Sequence, residues 1–199
     1  IIPVFPLSGV IYFPKTNLPL NVFEERYLSL VNDAYNKNKL MGMVQSKNED
    51  MNVYKIGCLG KISDYQKSKD GRILINLTGV TRFEIVDEVK NNKLYREFKV
   101  KYNSFKEDLS EKKSVINSLQ LMEKAKVFFK RSGLLLNWRE FEKLDQIQKI
   151  DTLAMISPVT SEEKQKLLES ITLNEKVKTL EDIINFYLHE VNFNNQTIQ

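Results

Sequence analysis

The sequence predicts an α+β protein, with a β-rich N-terminal half closing into a barrel-like sheet around one embedded helix and a helical C-terminal half. Three observations predict it. Four of the five prolines and six of the seven glycines precede residue 80, and these residues punctuate short strands and turns. Apolar residues in that half alternate with period two, whereas later ones recur at three- and four-residue spacing. Between the halves, Asn103 to Ser110 is a polar stretch without either period. It sets the expected boundary, with a β-rich domain at 1–105 and a helical domain at 106–199.

Each element follows from its local pattern. Ile2–Phe5, Val10–Phe13 and Leu18–Val22 read as short strands separated by proline. From Glu24, Tyr27, Leu30, Val31, Ala34 and Tyr35 line one face of a helix that should end in Asn36-Lys-Asn-Lys. Met41–Gln45 and Val53–Tyr65 are the next strands, the second bent by Gly57 and Gly60. Asp70-Gly71 is a hairpin signal. Ile73, Ile75 and Leu77 alternate with polar residues, Gly79 breaks the run, and Thr81–Val86 resumes it. Leu94, Phe98, Val100 and Tyr102 give a last half-buried strand. Several short strands favour closure, which hides their edges.

In the helical half, Val115, Ile116, Leu119, Met122 and Val127 predict an amphipathic helix ending near Gly133. Trp138, Phe141, Leu144, Ile147, Ile150 and Ala154 predict a second, stopped by Ser157-Pro158. Thr160 and Glu163 have capping-box spacing. A last helix from about Asn174 should turn Val177, Leu180, Ile184, Tyr187 and Leu188 inward, with a polar, frayed tail after Val191.

Composition narrows the function classes. Hydrophobic residues make up 42% and charged residues 28% of the 199, as in ordinary globular proteins able to bury a core. The formal net charge is +4, but lysines alternate with acids, as in Glu162-Glu-Lys-Gln-Lys, which argues against a nucleic-acid stripe. No apolar run approaches the ~20 residues of a membrane span, and the N-terminus lacks signal-peptide character. The single cysteine, Cys58, excludes an intrachain disulfide and fits a reducing compartment. A cytoplasmic protein with no membrane partner is expected.

Catalytic motifs are missing. There is no phosphate-binding Gly-x-x-x-x-Gly-Lys-Ser/Thr loop and no Gly-x-Ser-x-Gly elbow. His189 and Cys58 are the sole histidine and cysteine, too few for a structural zinc site. Cys58 reads as a buried small hydrophobe, and a hydrolase built on it or on a Ser–Lys pair has little support from spacing and is only a residual alternative. Glu24 and Glu25 fit the first turn of a helix, where carboxylates meet the positive end of the dipole. Neither a metal nor a cofactor is expected.

One ordered set of segments is more specific. Pro3-Val-Phe-Pro-Leu7, Val10-Ile-Tyr-Phe-Pro14, Leu18-Pro-Leu20 and Val22-Phe-Glu-Glu-Arg-Tyr27 follow one another at fixed spacing. Gly42-Met-Val-Gln45, Tyr54-Lys-Ile-Gly57, the Asp70-Gly71 hairpin and Gly79-Val-Thr-Arg-Phe-Glu-Ile85 continue it, and Glu162 to Glu169 extends it into the helical half. The set resembles the Lon substrate-binding domain family, in particular its short, free-standing members.

That resemblance implies a PUA-like β pseudo-barrel with one embedded helix, then a helical bundle. It implies a non-catalytic module that recognises unfolded or specific protein segments, as an adaptor or chaperone-like regulator, with other proteostasis proteins as further partners. In full-length Lon the ATPase and protease lie downstream. The resemblance also implies a substrate-handling role for Glu25 and Arg26. A basic residue three positions beyond, present in some members, is Ser29 here. The structural alternative for Glu25 and Arg26 is a salt bridge pinning the helix to the barrel; for Phe23 and Tyr27 it is core packing, and for Arg82 a structural stack or pair. PUA-like barrels also occur in RNA-associated proteins, which leaves RNA binding as the alternative function.

Overall fold

The computed structural model describes residues 1–47, 52–110 and 117–194, which fall into two compact units, Ile1–Glu111 and Lys112–Gln199. The first unit holds six strands: β1 (Ile2–Leu7), β2 (Asn17–Val22), β3 (Leu40–Gln45), β4 (Ile56–Lys67), β5 (Ile73–Val89) and β6 (Arg96–Lys101). Helix α1 (Glu25–Lys37) lies between β2 and β3. The strand order is β2-β5-β4-β3-β1-β6, and β5 also pairs with β6. That last pairing closes five strands into a barrel and leaves β2 outside the closure.

Length explains how β5 does this. Its first half pairs with β2, Ile73 opposite Val22 through Thr78 opposite Asn17. Its second half pairs with β6, from Glu84 opposite Lys101 to Val89 opposite Glu97. A single strand thereby carries two neighbours in succession along one edge. Gly79 bends the run without breaking it, so the two predicted strands are one. A Cβ at Gly79 would lie 2.0 Å from the Phe13 carbonyl oxygen, which is why only glycine fits. At the β4–β5 hairpin Gly71 takes φ +88°, the turn geometry that Asp70-Gly71 signals.

The barrel interior follows from alternation. Val4, Val44, Leu59, Phe83 and Phe98 form one buried cluster with Ile2. Helix α1 buries Tyr27, Leu30, Val31 and Ala34, the stripe read from its spacing except for Tyr35, which is half-buried.

Several expectations are corrected. Val10–Phe13 is no strand, although Ile11, Tyr12 and Phe13 are buried. Instead the Phe13 N–H donates to Thr16 Oγ1 (3.0 Å), whose hydroxyl donates back to the Phe13 carbonyl (2.7 Å). Val53 lies outside β4 and forms an isolated bridge with Ser46. Leu94 precedes β6 and is exposed. Asn103–Leu109 forms a 3₁₀ helix.

The second unit is helical: α2 (Leu119–Arg131), α3 (Trp138–Phe141), α4 (Gln146–Ile156), α5 (Ser161–Glu169) and α6 (Leu173–Asn194). Helix α6 packs against α2, α4 and α5. In α2 the inward residues are Leu121, Ala125, Phe128 and Phe129, while Leu119 and Val127 are exposed. The buried set keeps a four-, three-residue rhythm, whereas Met122 to Val127 is a five-residue step that no helix face accommodates. Val115 and Ile116 lie outside the described residues. The stripe from Trp138 to Ala154 is two helices, because Asp145 caps α4 with a reciprocal Gln148 box. Thr160 and Glu163 form the capping box that their spacing predicts. Helix α6 continues through Asn194, and the remaining tail lies outside the described residues.

Candidate functional site

The candidate site grows from the outer face of β2 and the start of α1. Along Asn17-Leu-Pro-Leu-Asn-Val, Asn17, Pro19 and Asn21 are exposed, Leu18 and Leu20 are half-buried, and Val22 is buried. The chain continues in the same rhythm into Phe23, which is 66% exposed. Phe23 is therefore no core residue, contrary to the packing expected of it. The parity explains why: Phe23 shares a face with Asn17 and Asn21 and opposes Leu18, Leu20 and Val22.

Register sets what surrounds it. Leu74, 43% exposed, lies opposite Asn21, one diagonal step from Phe23. Pro19 lies opposite Asn76, and Thr78 Oγ1 donates to Asn17 Oδ1 at 2.8 Å, which fixes these side chains on one face. Asn76 and Thr78 both bond to Ser63 Oγ on β4. The result is an apolar corner of Pro19, Phe23 and Leu74 bordered by a hydrogen-bonded polar row.

Charged groups border the corner at the helix start. Glu24 is the residue before α1 and makes no side-chain cap bond. Its carboxylate instead accepts from Arg26 Nε (3.0 Å) and Nη2 (2.7 Å). The Arg26 guanidinium also lies 4.6 Å from the centroid of the Tyr27 ring. Tyr27 is buried, with its ring centroid 3.9 Å from that of Phe5 and its hydroxyl donating to the Pro6 carbonyl. Burial pushes the Tyr27 hydroxyl above its ordinary pKa. Arg26 thus pairs with Glu24, not with Glu25 and not with the barrel. Glu25 stands exposed in the first turn of α1, where the helix dipole favours a carboxylate. The structure brings Glu25 and Arg26 to the same helix start as Phe23.

The other residues singled out by sequence lie elsewhere. Arg82 is buried and pairs with Asp108, its guanidinium 4.4 Å from the Phe105 ring centroid, so its role is structural. Cys58 is buried, with its thiol on the Leu59 carbonyl. His189 is an exposed residue of α6. Among the described residues no cluster of three or more potential ligands could hold a metal ion, and no helix is long and apolar enough to cross a membrane. Leu74 carries no signal in the sequence as a site residue, and Pro19 stands there only within the Leu18-Pro-Leu20 segment of the resemblance. The alternation of Asn17 to Phe23 carried the signal for Phe23, but pairing with Leu74 needed the register.

Comparison with known proteins agrees with this architecture. The Lon protease of Dictyoglomus thermophilum is 25% identical over 189 residues, covering 89% of this chain and 23% of that protein. The Lon protease of Flavobacterium johnsoniae is 31% identical over 106 residues, covering 50% of this chain and 13% of that protein. The chain thus spans about a quarter or less of the length of these relatives. A Lon N-terminal domain protein from Xanthomonas campestris has the same fold, with a TM-score of 0.66 at 22% identity over 92% of this chain and 96% of that one. The N-terminal domain of a Mycobacterium avium complex Lon protease gives 0.66 at 17% identity, covering 92% and 97%. Residues 1–185 match the substrate-binding domain of ATP-dependent protease La (LON). With that match spanning both units, the chain belongs to the Lon substrate-binding domain family.

Proposed function

We propose that this chain is a non-catalytic module that captures exposed apolar segments of protein substrates at the Pro19–Phe23–Leu74 corner, acting as an adaptor or chaperone-like regulator in the cytoplasm. The observation that carries this reading is Phe23, an aromatic side chain 66% exposed just beyond the end of β2. Aromatic anchors supply large contact area at small entropic cost, and they dominate binding energy when buried by a partner. The neighbouring Glu24–Arg26 pair and Glu25 give the corner a polar rim. Glu25 and Arg26 in this reading orient the captured segment rather than anchor it.

RNA binding is the weaker reading. All four arginines of the first unit are engaged with carboxylates: Arg26 with Glu24, Arg72 with Asp70, Arg82 with Asp108 and Arg96 with Glu88. Guanidinium forks already occupied in this way offer little to a phosphate backbone.

The test is binding of a reduced, unfolded model protein to the full chain. Saturable binding without cleavage is expected, weakened roughly tenfold or more by Phe23→Ala, the loss typical of an anchor residue. Undiminished binding by Phe23→Ala sinks the reading.

A further inference from the structure

We propose that β2 also offers its free edge, so that a captured segment pairs with it through the main chain as an added strand. This rests on the corner being a binding site and specifies how the segment lies there. Among the six strands of the described residues, only β2 has a single neighbour.

The direction of its main-chain groups follows from its surroundings. Gly79 accepts from Lys15 N–H and donates to the Thr16 carbonyl, each at 2.9 Å, so Gly79 faces the β2 side of β5. In a strand this direction repeats every second residue. Leu77, Ile75 and Ile73 therefore also face β2, opposite Leu18, Leu20 and Val22. Asn76 points the other way, and its carbonyl accepts from Ser63 Oγ of β4. The main-chain groups of Asn17, Pro19 and Asn21 are left pointing outward from the sheet.

Those three residues are also the ones with exposed side chains. Their outward edge presents carbonyls at Asn17, Pro19 and Asn21 but N–H donors only at Asn17 and Asn21. Pro19 sits where its missing N–H costs the β2–β5 ladder nothing. The gap it leaves interrupts the edge as a template for long β assemblies, while a short segment still finds five main-chain partners. A strand added there carries its side chains beside Pro19, Phe23 and Leu74, so one placement satisfies both the edge and the apolar corner. Main-chain pairing is indifferent to side-chain sequence, which suits a module that meets many unfolded chains. The occupant is thus an extended polypeptide with an apolar or aromatic residue, bonded through alternate amides.

N-methylated peptides test this. The probe is a labelled peptide of alternating Val and Thr around one Phe, with Lys at both ends. It is compared with two versions methylated on the amides of one parity or the other. Binding of the parent is expected, one methylated form within about twofold of it and the other weaker by roughly tenfold or more, as for two or three lost hydrogen bonds. Equal affinities for the two methylated forms overturn edge pairing but leave the corner as a side-chain site. No binding of the parent overturns both. Asn21→Pro, which removes one outward donor, should weaken the parent peptide while the protein still melts cooperatively. Unchanged binding by that variant also overturns the proposal.

Discussion

Asp108 takes three hydrogen bonds from Arg82: its Oδ2 accepts the backbone N–H (2.8 Å) and Nε (3.0 Å), and its Oδ1 accepts Nη2 (2.8 Å). Both side chains are buried, at 4% and 9% exposure. The contact ties the 3₁₀ helix Asn103–Leu109 to the middle of β5, and Phe105 covers the guanidinium. Removing one partner leaves a buried charge uncompensated, which costs about 3–5 kcal/mol. Asp108→Ala should therefore destabilise the first unit by roughly that amount. The check is hydrogen exchange of β5 amides, whose protection should fall in proportion; unchanged protection would refute the assignment.

The second unit holds an equivalent pair with a different logic. Lys176, in the first turn of α6, donates to Asp151 of α4, and the two side chains are 4% and 2% exposed. Lys176→Met alone should cost about 3–5 kcal/mol. Lys176→Met with Asp151→Leu should recover most of that loss, because two apolar side chains can replace a buried ion pair at little cost. Trp138, the only tryptophan, reports unfolding of this unit, and a double variant no more stable than the single one contradicts the account.

These two pairs mark the limit of what the sequence reveals. The stripe Tyr27, Leu30, Val31 and Ala34 and the hairpin at Asp70-Gly71 are legible because each is a local pattern. So is the capping box of Thr160 and Glu163. Arg82 with Asp108 is separated by 26 residues and Lys176 with Asp151 by 25, and no local rule pairs them. The misreading of α2 has a related cause, since Leu119 and Val127 are apolar but only tertiary packing selects Leu121 and Phe128. For the candidate site, Glu25 and Arg26 came from family resemblance. Core packing is the expectation for Phe23 because large aromatics are usually buried, although its parity with Asn17 and Asn21 argues otherwise.

Gly79 tests the crossing of β5 by the segment before β2. Any side chain there meets the Phe13 carbonyl, a backbone atom that cannot move without breaking the Lys15 and Thr16 bonds to Gly79. Gly79→Ala should destabilise by more than the roughly 1 kcal/mol typical of a point substitution. A normal melting temperature for this variant would show that the Phe13–Thr16 turn shifts freely.

Glu88 makes stability depend on pH. Its carboxylate accepts from Arg96 Nε (2.7 Å) and Nη2 (2.6 Å), and these bonds hold its pKa below the ordinary carboxylate range. A depressed folded pKa contributes stability above the unfolded value, about 4.3 for Glu, and loses it as pH falls through the lower folded value. The stability gap between the native chain and Arg96→Met should thus be widest near neutrality and narrow as pH drops below about 4. Unfolding of the first unit at a series of pH values measures it. A gap independent of pH would mean that Arg96 acts through its stacking on Phe98 instead.

If segments are captured at the proposed corner, Glu25 should set its charge preference. Arg26 is already satisfied by Glu24 and lies over the Tyr27 ring, so its positive charge is largely neutralised. Glu25 is exposed beside it with its carboxylate toward solvent, leaving the corner with a local excess of negative charge. A captured segment carrying lysine next to its apolar residue should bind better than one carrying glutamate. Glu25→Gln should erase that preference, at about two- to fivefold in affinity, as for an exposed ion pair. Arg26→Gln should leave the preference in place or enlarge it, because it frees the Glu24 carboxylate. Both effects should shrink at high salt, since exposed charges are screened within about 10 Å at 0.1 M. Fluorescence polarisation with the two peptides at low and high salt reads all of this. A lysine preference that survives Glu25→Gln would move the recognising carboxylate to Glu24.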